Sequence, residues 1–147
     1  GNILIDYGCG KGRVGFFLHY AAGCKAIGLE YDREIYLQAE ANRKSAAKGN
    51  GILFYHADAA EFPVEDADSF YFFNPFSVEI LKSVMGRITE SYYESPRKMR
   101  LFFYYPNDEY LVYLMTMYAL HFVEELDCRD LFPGKDERER ILVFESE

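Results

Sequence analysis

The chain has 147 residues, half of them hydrophobic, which supports one domain with a substantial core and argues against disorder. It carries 16 Lys and Arg against 24 Asp and Glu, a formal net charge of −8. Tight non-specific binding to nucleic acid needs a basic surface, so that balance argues weakly against it, while an RNA gripped by a local patch stays compatible with it.

Cys9, Cys24 and Cys128 stand far apart with no C-x-x-C pair. Neither zinc nor a disulfide framework is indicated, and reduced thiols in the cytoplasm are expected. The sequence contains no run of ~18 apolar residues, so no membrane span is expected, and its start does not read as a signal peptide. It begins at Gly1 rather than Met and reaches strand-like sequence within two residues, so a preceding N-terminal segment is expected to be missing.

Ile3–Tyr7 is a short apolar run and predicts a strand buried on both faces. Gly8, Gly10 and Gly12 follow. Glycines so dense are costly in chain entropy, and a turn uses them for positive φ or for a close ligand. Val14, Phe17, Leu18 and Ala21 then make one apolar stripe, so a helix follows until Gly23 stops it. A second strand at Lys25–Glu30 ends in an acidic residue. Asp32 suits the N-cap of a helix running to about Lys48, with Gly49 and Gly51 ahead of a third strand at Ile52–His56.

Residues 58–67 are acidic and irregular. Ser69–Phe73 predicts a very aromatic fourth strand, stopped by Asn74-Pro75. Ser77 caps the next helix, whose stripe is Ile80, Leu81, Val84 and Ile88. A fifth strand covers 99–105 and stops at Pro106; Asn107 caps a helix with Asp108 and Glu109 in its first turn. Residues 122–126 and 141–144, separated by a Pro133-Gly134 turn and a charged loop, read as an antiparallel pair.

Strands alternating with helices define the fold class as α/β. The expectation is a single doubly wound, Rossmann-like, mostly parallel seven-stranded sheet, with helices on both faces and an antiparallel C-terminal strand. Such sheets bind ligands outside the carboxyl ends of their strands. That rule gathers residues 6–12, Glu30, Asp58 and residues 74–77 on one rim.

Two cofactor classes fit the glycine turn. Gly10-Lys11-Gly12-Arg13-Val14-Gly15 satisfies G-x-G-x-x-G, and Glu30 lies 20 residues after Gly10, as in NAD- or FAD-binding oxidoreductases. Asp6, immediately ahead of the turn, argues against a dinucleotide. Its carboxylate would face a pyrophosphate across a partly dry crevice, where like charges are costly. A cofactor with a cationic amino group suits it better.

Asp6-Tyr7-Gly8-Cys9-Gly10-Lys11-Gly12 resembles the D/E-x-G-x-G-x-G motif of class I S-adenosylmethionine-dependent methyltransferases. The likeness extends over nearly the whole chain, including the terminal hairpin, and implies one S-adenosylmethionine-binding domain over 1–147. It implies that Asp6 holds the methionine amino group while residues 8–12, with Tyr7, Cys9 and the three glycines among the cofactor contacts, let the backbone approach. It implies that Glu30 accepts from both ribose hydroxyls, for which the two oxygens of a carboxylate suit. Tyr31 would pack on adenine. His56-Ala57-Asp58-Ala59 resembles the third family motif, so Asp58 would accept from the adenine amino group and the Ala59 N–H would donate to the ring.

Asn74-Pro75-Phe76-Ser77 follows the fourth strand, where the family places its catalytic groups. In many amino-group methyltransferases this stretch is N/D-P-P-F/Y/W. Here the second Pro is absent and Phe76 comes one place early. Asn74, Pro75 and Phe76 are the candidate catalytic residues, with Asn74 also beside the cofactor. The match leans to methylation of a planar amino or ring nitrogen in RNA, protein or a small molecule. Asn-Pro is also ordinary turn chemistry, which keeps a non-catalytic cofactor-binding domain as an alternative.

His19, His56 and His121 show no metal spacing, and no metal is expected. Core packing accounts for most of the 13 Tyr and 13 Phe; those beside the rim are Tyr7, Tyr31, Phe76 and Tyr105. Neither the acceptor nor the oligomeric state is legible.

Overall fold

A computed structural model of the chain describes residues 2–9, 12, 15, 19, 23–45, 51–73, 77–117, 119–127, 129 and 140–146. Its strands are β1 (Ile3–Tyr7), β2 (Lys25–Glu30), β3 (Ile52–His56), β4 (Ser69–Phe73), β5 (Arg100–Tyr104), β6 (Leu120–Asp127) and β7 (Arg140–Ser146). The helices are α1 (Arg33–Ser45), α2 (Val78–Glu94) and α3 (Asp108–Leu114). All seven strands join one sheet in the order β3-β2-β1-β4-β5-β7-β6. β1 to β5 are parallel, and β7 is antiparallel to both β5 and β6.

Period-two alternation sorts the strand residues onto two faces. One face carries Ile5, Tyr7, Phe70, Phe72, Leu101, Phe103 and Phe144 against Leu81, Val84, Met85 and Ile88 of α2 and Tyr110 and Leu114 of α3. Its centre is a row of stacked rings: Tyr7 on Phe72 at 4.8 Å between centroids, and Phe72 on Phe103 at 4.6 Å. The other face buries Cys9, Ala26, Ile52 and Phe54 against Ala39 of α1. Helices on both faces were the sequence expectation.

The helix starts follow their caps. Asp32 Oδ1 accepts from the Ile35 N–H, Ser77 Oγ from Ile80 and Asn107 Oδ1 from Tyr110. Of the helix expected after the glycines, Gly15 and His19 are described and helical; its stripe of Val14, Phe17, Leu18 and Ala21 lies outside the described residues. So do Lys48, Gly49, Cys128 and the Pro133-Gly134 turn.

The differences from expectation include the bounds of β5 and β6 and the facing of one residue of α2. β5 ends at Tyr104 because Tyr105 adopts a positive φ of 53° just ahead of Pro106. Its N–H still donates to the Arg140 carbonyl at 3.0 Å. β6 is longer than 122–126 because it follows β7 along its length, with a bulge between Phe122 and Glu124. Ile80 lies on the exposed flank of α2, and Met85 takes its expected place in the core.

Candidate cofactor site

Gly8 and Gly12 both have positive φ, 73° and 90°, which L side chains adopt only with strain. The turn they allow lets the N–H groups of Gly8 and Cys9 donate together to the Leu29 carbonyl, each at 2.9 Å. Gly12 N–H donates back to Cys9 O at 3.0 Å. The glycine turn is thereby fastened to the end of β2, and Gly8 and Glu30 come to one crevice.

That crevice is a cavity of about 430 Å³ lined by Gly8, Leu29, Glu30, Tyr31, Ala57, Asp58, Ala59 and Ile80. Its size is ordinary for a small-molecule site. Five of its residues were picked out of the sequence. Leu29, Ala57 and Ile80 were not, because apolar residues at strand and helix ends carry no signal separating a cavity wall from core. A second cavity, about 460 Å³, lies between the sheet and the loop after β3. None of the motif residues lines it, so volume alone does not select the site.

Several side chains are held in place around the crevice. One Glu30 oxygen accepts from the Asp32 N–H at 3.0 Å. Glu30 O accepts from Ala57 N–H, tying the ends of β2 and β3 together. His56 Nε2 is 2.8 Å from the Tyr31 carbonyl, which makes that nitrogen the protonated one and pins the loop under Tyr31. The Tyr31 side chain is 77% exposed, an open apolar wall rather than packing. Asp58 Oδ1 accepts from the Ala60 N–H at 2.9 Å in a local turn.

Asp6, the penultimate residue of β1, is 3% exposed. Burial first, and Glu30 second, push its carboxyl up to about 7. No side-chain donor pairs with it among the described residues. A buried carboxylate without a partner is costly, and a cation would relieve it.

Two residues of the glycine motif point elsewhere. The Tyr7 ring belongs to the aromatic core, and its hydroxyl is buried with no hydrogen-bond partner. Cys9 packs under Phe54 and Gly28, and burial pushes its thiol well above the usual range. Neither side chain lines the cavity, so both reach a ligand only through backbone. Gly10, Asn74, Pro75 and Phe76 lie outside the described residues. Among the described residues no group of His, Cys, Asp and Glu is arranged to hold a metal ion, and no helix is long and apolar enough to cross a membrane.

The loop after β3 is held by two arginines that the sequence did not single out. Arg87 donates to the Ala60 carbonyl. Arg97 donates to the carbonyls of Glu65, Ala67, Ser91 and Ser95, joining the C-terminus of α2 to the loop.

No family model matches the chain. Solved structures do resemble it over its full length. A TehB-like SAM-dependent methyltransferase from Corynebacterium glutamicum superposes with a TM-score of 0.68 at 16% identity, over 100% of this chain and 81% of that one. A magnesium protoporphyrin IX methyltransferase from Synechocystis with bound SAM gives 0.71 at 17%, over 100% and 71%. An RNA methyltransferase from Salinibacter ruber in complex with S-adenosyl-L-homocysteine gives 0.59 at 20%, over 99% and 79%. The fold is that of the class I S-adenosylmethionine-dependent methyltransferases.

Proposed function

We propose that the chain is an S-adenosylmethionine-dependent methyltransferase acting on a nitrogen of a planar amino group or ring. One observation carries this. Gly8, Glu30, Tyr31, Asp58 and Ala59, drawn from three separate stretches of sequence, line one cavity, with the buried carboxylate of Asp6 close to Glu30.

The residues fit the cofactor. Asp6 matches a cationic amino group. Glu30 matches a vicinal diol, since the two oxygens of an ionised carboxylate suit two adjacent hydroxyls. Asp58 keeps acceptor capacity beyond its bond to Ala60, and Tyr31 offers a ring face. When bound, S-adenosylmethionine supplies an electrophilic methyl group whose bond to sulfur breaks as the acceptor nitrogen bonds to it. The protein's part is alignment, which alone contributes about 7–11 kcal/mol when reacting groups are well oriented. Asn74 is too weak a base to deprotonate an amine and would orient it instead.

A dinucleotide fits less well. Its pyrophosphate, at the glycine turn, would meet the buried carboxyl of Asp6. The antiparallel β7 between β5 and β6 also departs from the all-parallel 3-2-1-4-5-6 order of dinucleotide-binding sheets. The buried thiols of Cys9 and Cys24, neither in a disulfide, support a reducing compartment such as the cytoplasm.

Thermal shift tests the reading. At a hundredfold excess over Kd, S-adenosylmethionine or S-adenosylhomocysteine adds about 2.7 kcal/mol, a rise of several degrees. Glu30→Ala removes that rise. A shift with NAD and none with either sulfur nucleoside overturns the proposal. Incorporation of labelled methyl into cell extract, compared with Asn74→Ala, tests catalysis: equal incorporation leaves Asn74 a turn residue.

A further inference from the structure

Beside the cavity the sheet ends in an aromatic group that the cofactor site does not use. Phe73 closes β4 with 51% of its surface exposed, next to the fully buried Phe72. Its ring lies 5.1 Å from Tyr104 and 6.4 Å from Tyr105, tilted by 38° and 55°. Tyr104 and Tyr105 are half-buried, and their rings are 6.4 Å apart. Three rings at the carboxyl ends of β4 and β5 form a shallow, partly open corner.

The strand register locates that corner. Asp6 pairs with Tyr71 and Tyr7 with Phe72, so Gly8 follows at the level of Phe73. Phe73 in turn pairs with Tyr104. Neighbouring strands lie roughly 4.8 Å apart, which sets Phe73 one strand and Tyr104 two strands from a residue lining the cavity. Alternation puts Phe73 and Tyr104 on the same face of the sheet as Asp6. Tyr105 keeps its place at the rim with a positive φ that a bulky residue adopts only when its surroundings demand it. One half-exposed Phe ring and two half-buried Tyr rings, held at that position, suit a ligand that is itself a flat ring.

We propose that Phe73, Tyr104 and Tyr105 form the acceptor subsite, binding a nitrogen-bearing planar heteroaromatic ring by stacking next to the cofactor cavity. The proposal rests on the methyltransferase reading and names its substrate class. A purine base within a strand and a free heteroaromatic molecule share this chemistry.

The chain has no Trp, so Phe73→Trp provides a single reporting indole at the corner. With the cofactor cavity saturated by S-adenosylhomocysteine, adenine quenches the indole emission saturably, and cyclohexylamine, an amine without a flat ring, does not. Tyr104→Leu in this background weakens adenine by about tenfold, within the range for losing one stacking face. Tyr105→Asn does the same while suiting the positive φ, so loss of the ring is separated from loss of the fold.

Equal responses to adenine and cyclohexylamine, or unchanged adenine affinity in the Tyr104→Leu, Tyr105→Asn double variant, overturn the proposal. A short oligoadenylate binding more tightly than adenine assigns the ring to a strand; equal or weaker binding assigns it to a free molecule; either supports the subsite. Stabilisation by S-adenosylhomocysteine, measured on the same Phe73→Trp protein, reads the cofactor site separately. Its absence removes the methyltransferase reading; its presence without an adenine response removes the acceptor subsite alone.

Discussion

In the free protein Asp6 sits buried beside Glu30, its carboxyl pushed up to about 7 by burial and by that neighbour. An unfolded Asp titrates near 3.9. The fold therefore holds the Asp6 proton more tightly than the unfolded chain does. The stability from this group is fully present below about pH 4 and is lost as pH rises to about 7. Asp6→Asn removes that slope, and urea midpoints at pH 5.5 and 8 then converge relative to the parent.

Binding a cationic amino group reverses the preference, because the ionised carboxylate becomes the paired form. S-adenosylhomocysteine should release a proton on binding below pH 7 and bind more tightly as pH rises toward 7, by at most tenfold per unit. Calorimetry in two buffers of different ionisation enthalpy reads that proton. No proton release, with unchanged affinity in Asp6→Asn, would take Asp6 out of the site. The carboxylate ahead of the glycines was legible because its position in the motif is local. The orientations of Tyr7 and Cys9 were not. They depend on the double donation to Leu29 and on the space Gly28 leaves under Phe54.

Helix caps were legible because they are short-range chemistry: Asp32, Ser77 and Asn107 each bond three residues ahead. The loop after β3 was legible only as acidic and irregular, since what orders it comes from far along the chain. Arg97 reaches Ala67 O across 30 positions, and nothing local distinguishes it from other arginines. Arg97→Met keeps the stem but strips donors from carbonyls of Glu65, Ala67 and Ser91. Of these only Ala67 is buried, and leaving its carbonyl without the two arginine donors costs roughly 1–3 kcal/mol. Amide exchange should then speed up over 57–67 and the last turn of α2 while β1 and β4 stay protected.

Gly28 is a second such case. A Cβ there would stand 2.6 Å from a Phe54 ring carbon and 2.9 Å from Cys9 Cβ. Gly28→Ala is expected to cost about 1–3 kcal/mol, the usual penalty for overpacking, and to weaken cofactor binding by displacing the glycine turn through Cys9. An unchanged denaturation midpoint would show that β2 and β3 have room to part.

At the scale of the whole molecule, the strand inserted last in sequence lies inside the sheet. β7 fills the position between β5 and β6, so the final described residues join to the core. Ser146 Oγ accepts from Met99 N–H and donates to Arg97 O, while Phe144 packs edge-on to Phe103 at 5.8 Å. The hairpin itself was legible, because two strand-like runs flank a Pro-Gly turn. Its insertion was not legible from the residues themselves, since sequence pattern reports which face a strand buries and not which strand it pairs with.

The insertion makes two neighbouring phenylalanines unequal. Phe122 of β6 and Phe144 of β7 are cross-strand partners with rings 5.7 Å apart. Phe144 is buried between two strands, whereas Phe122 is 46% exposed on the outer one. Phe144→Ala should cost about 3–5 kcal/mol by opening a cavity against Phe103. That is a large share of the 5–15 kcal/mol that holds a typical domain together. Phe122→Ala should cost about 1 kcal/mol or less, because its ring already meets water. Urea denaturation of the two variants decides it. Equal losses would mean that β6 carries as much of the fold as β7, contrary to the order of the sheet.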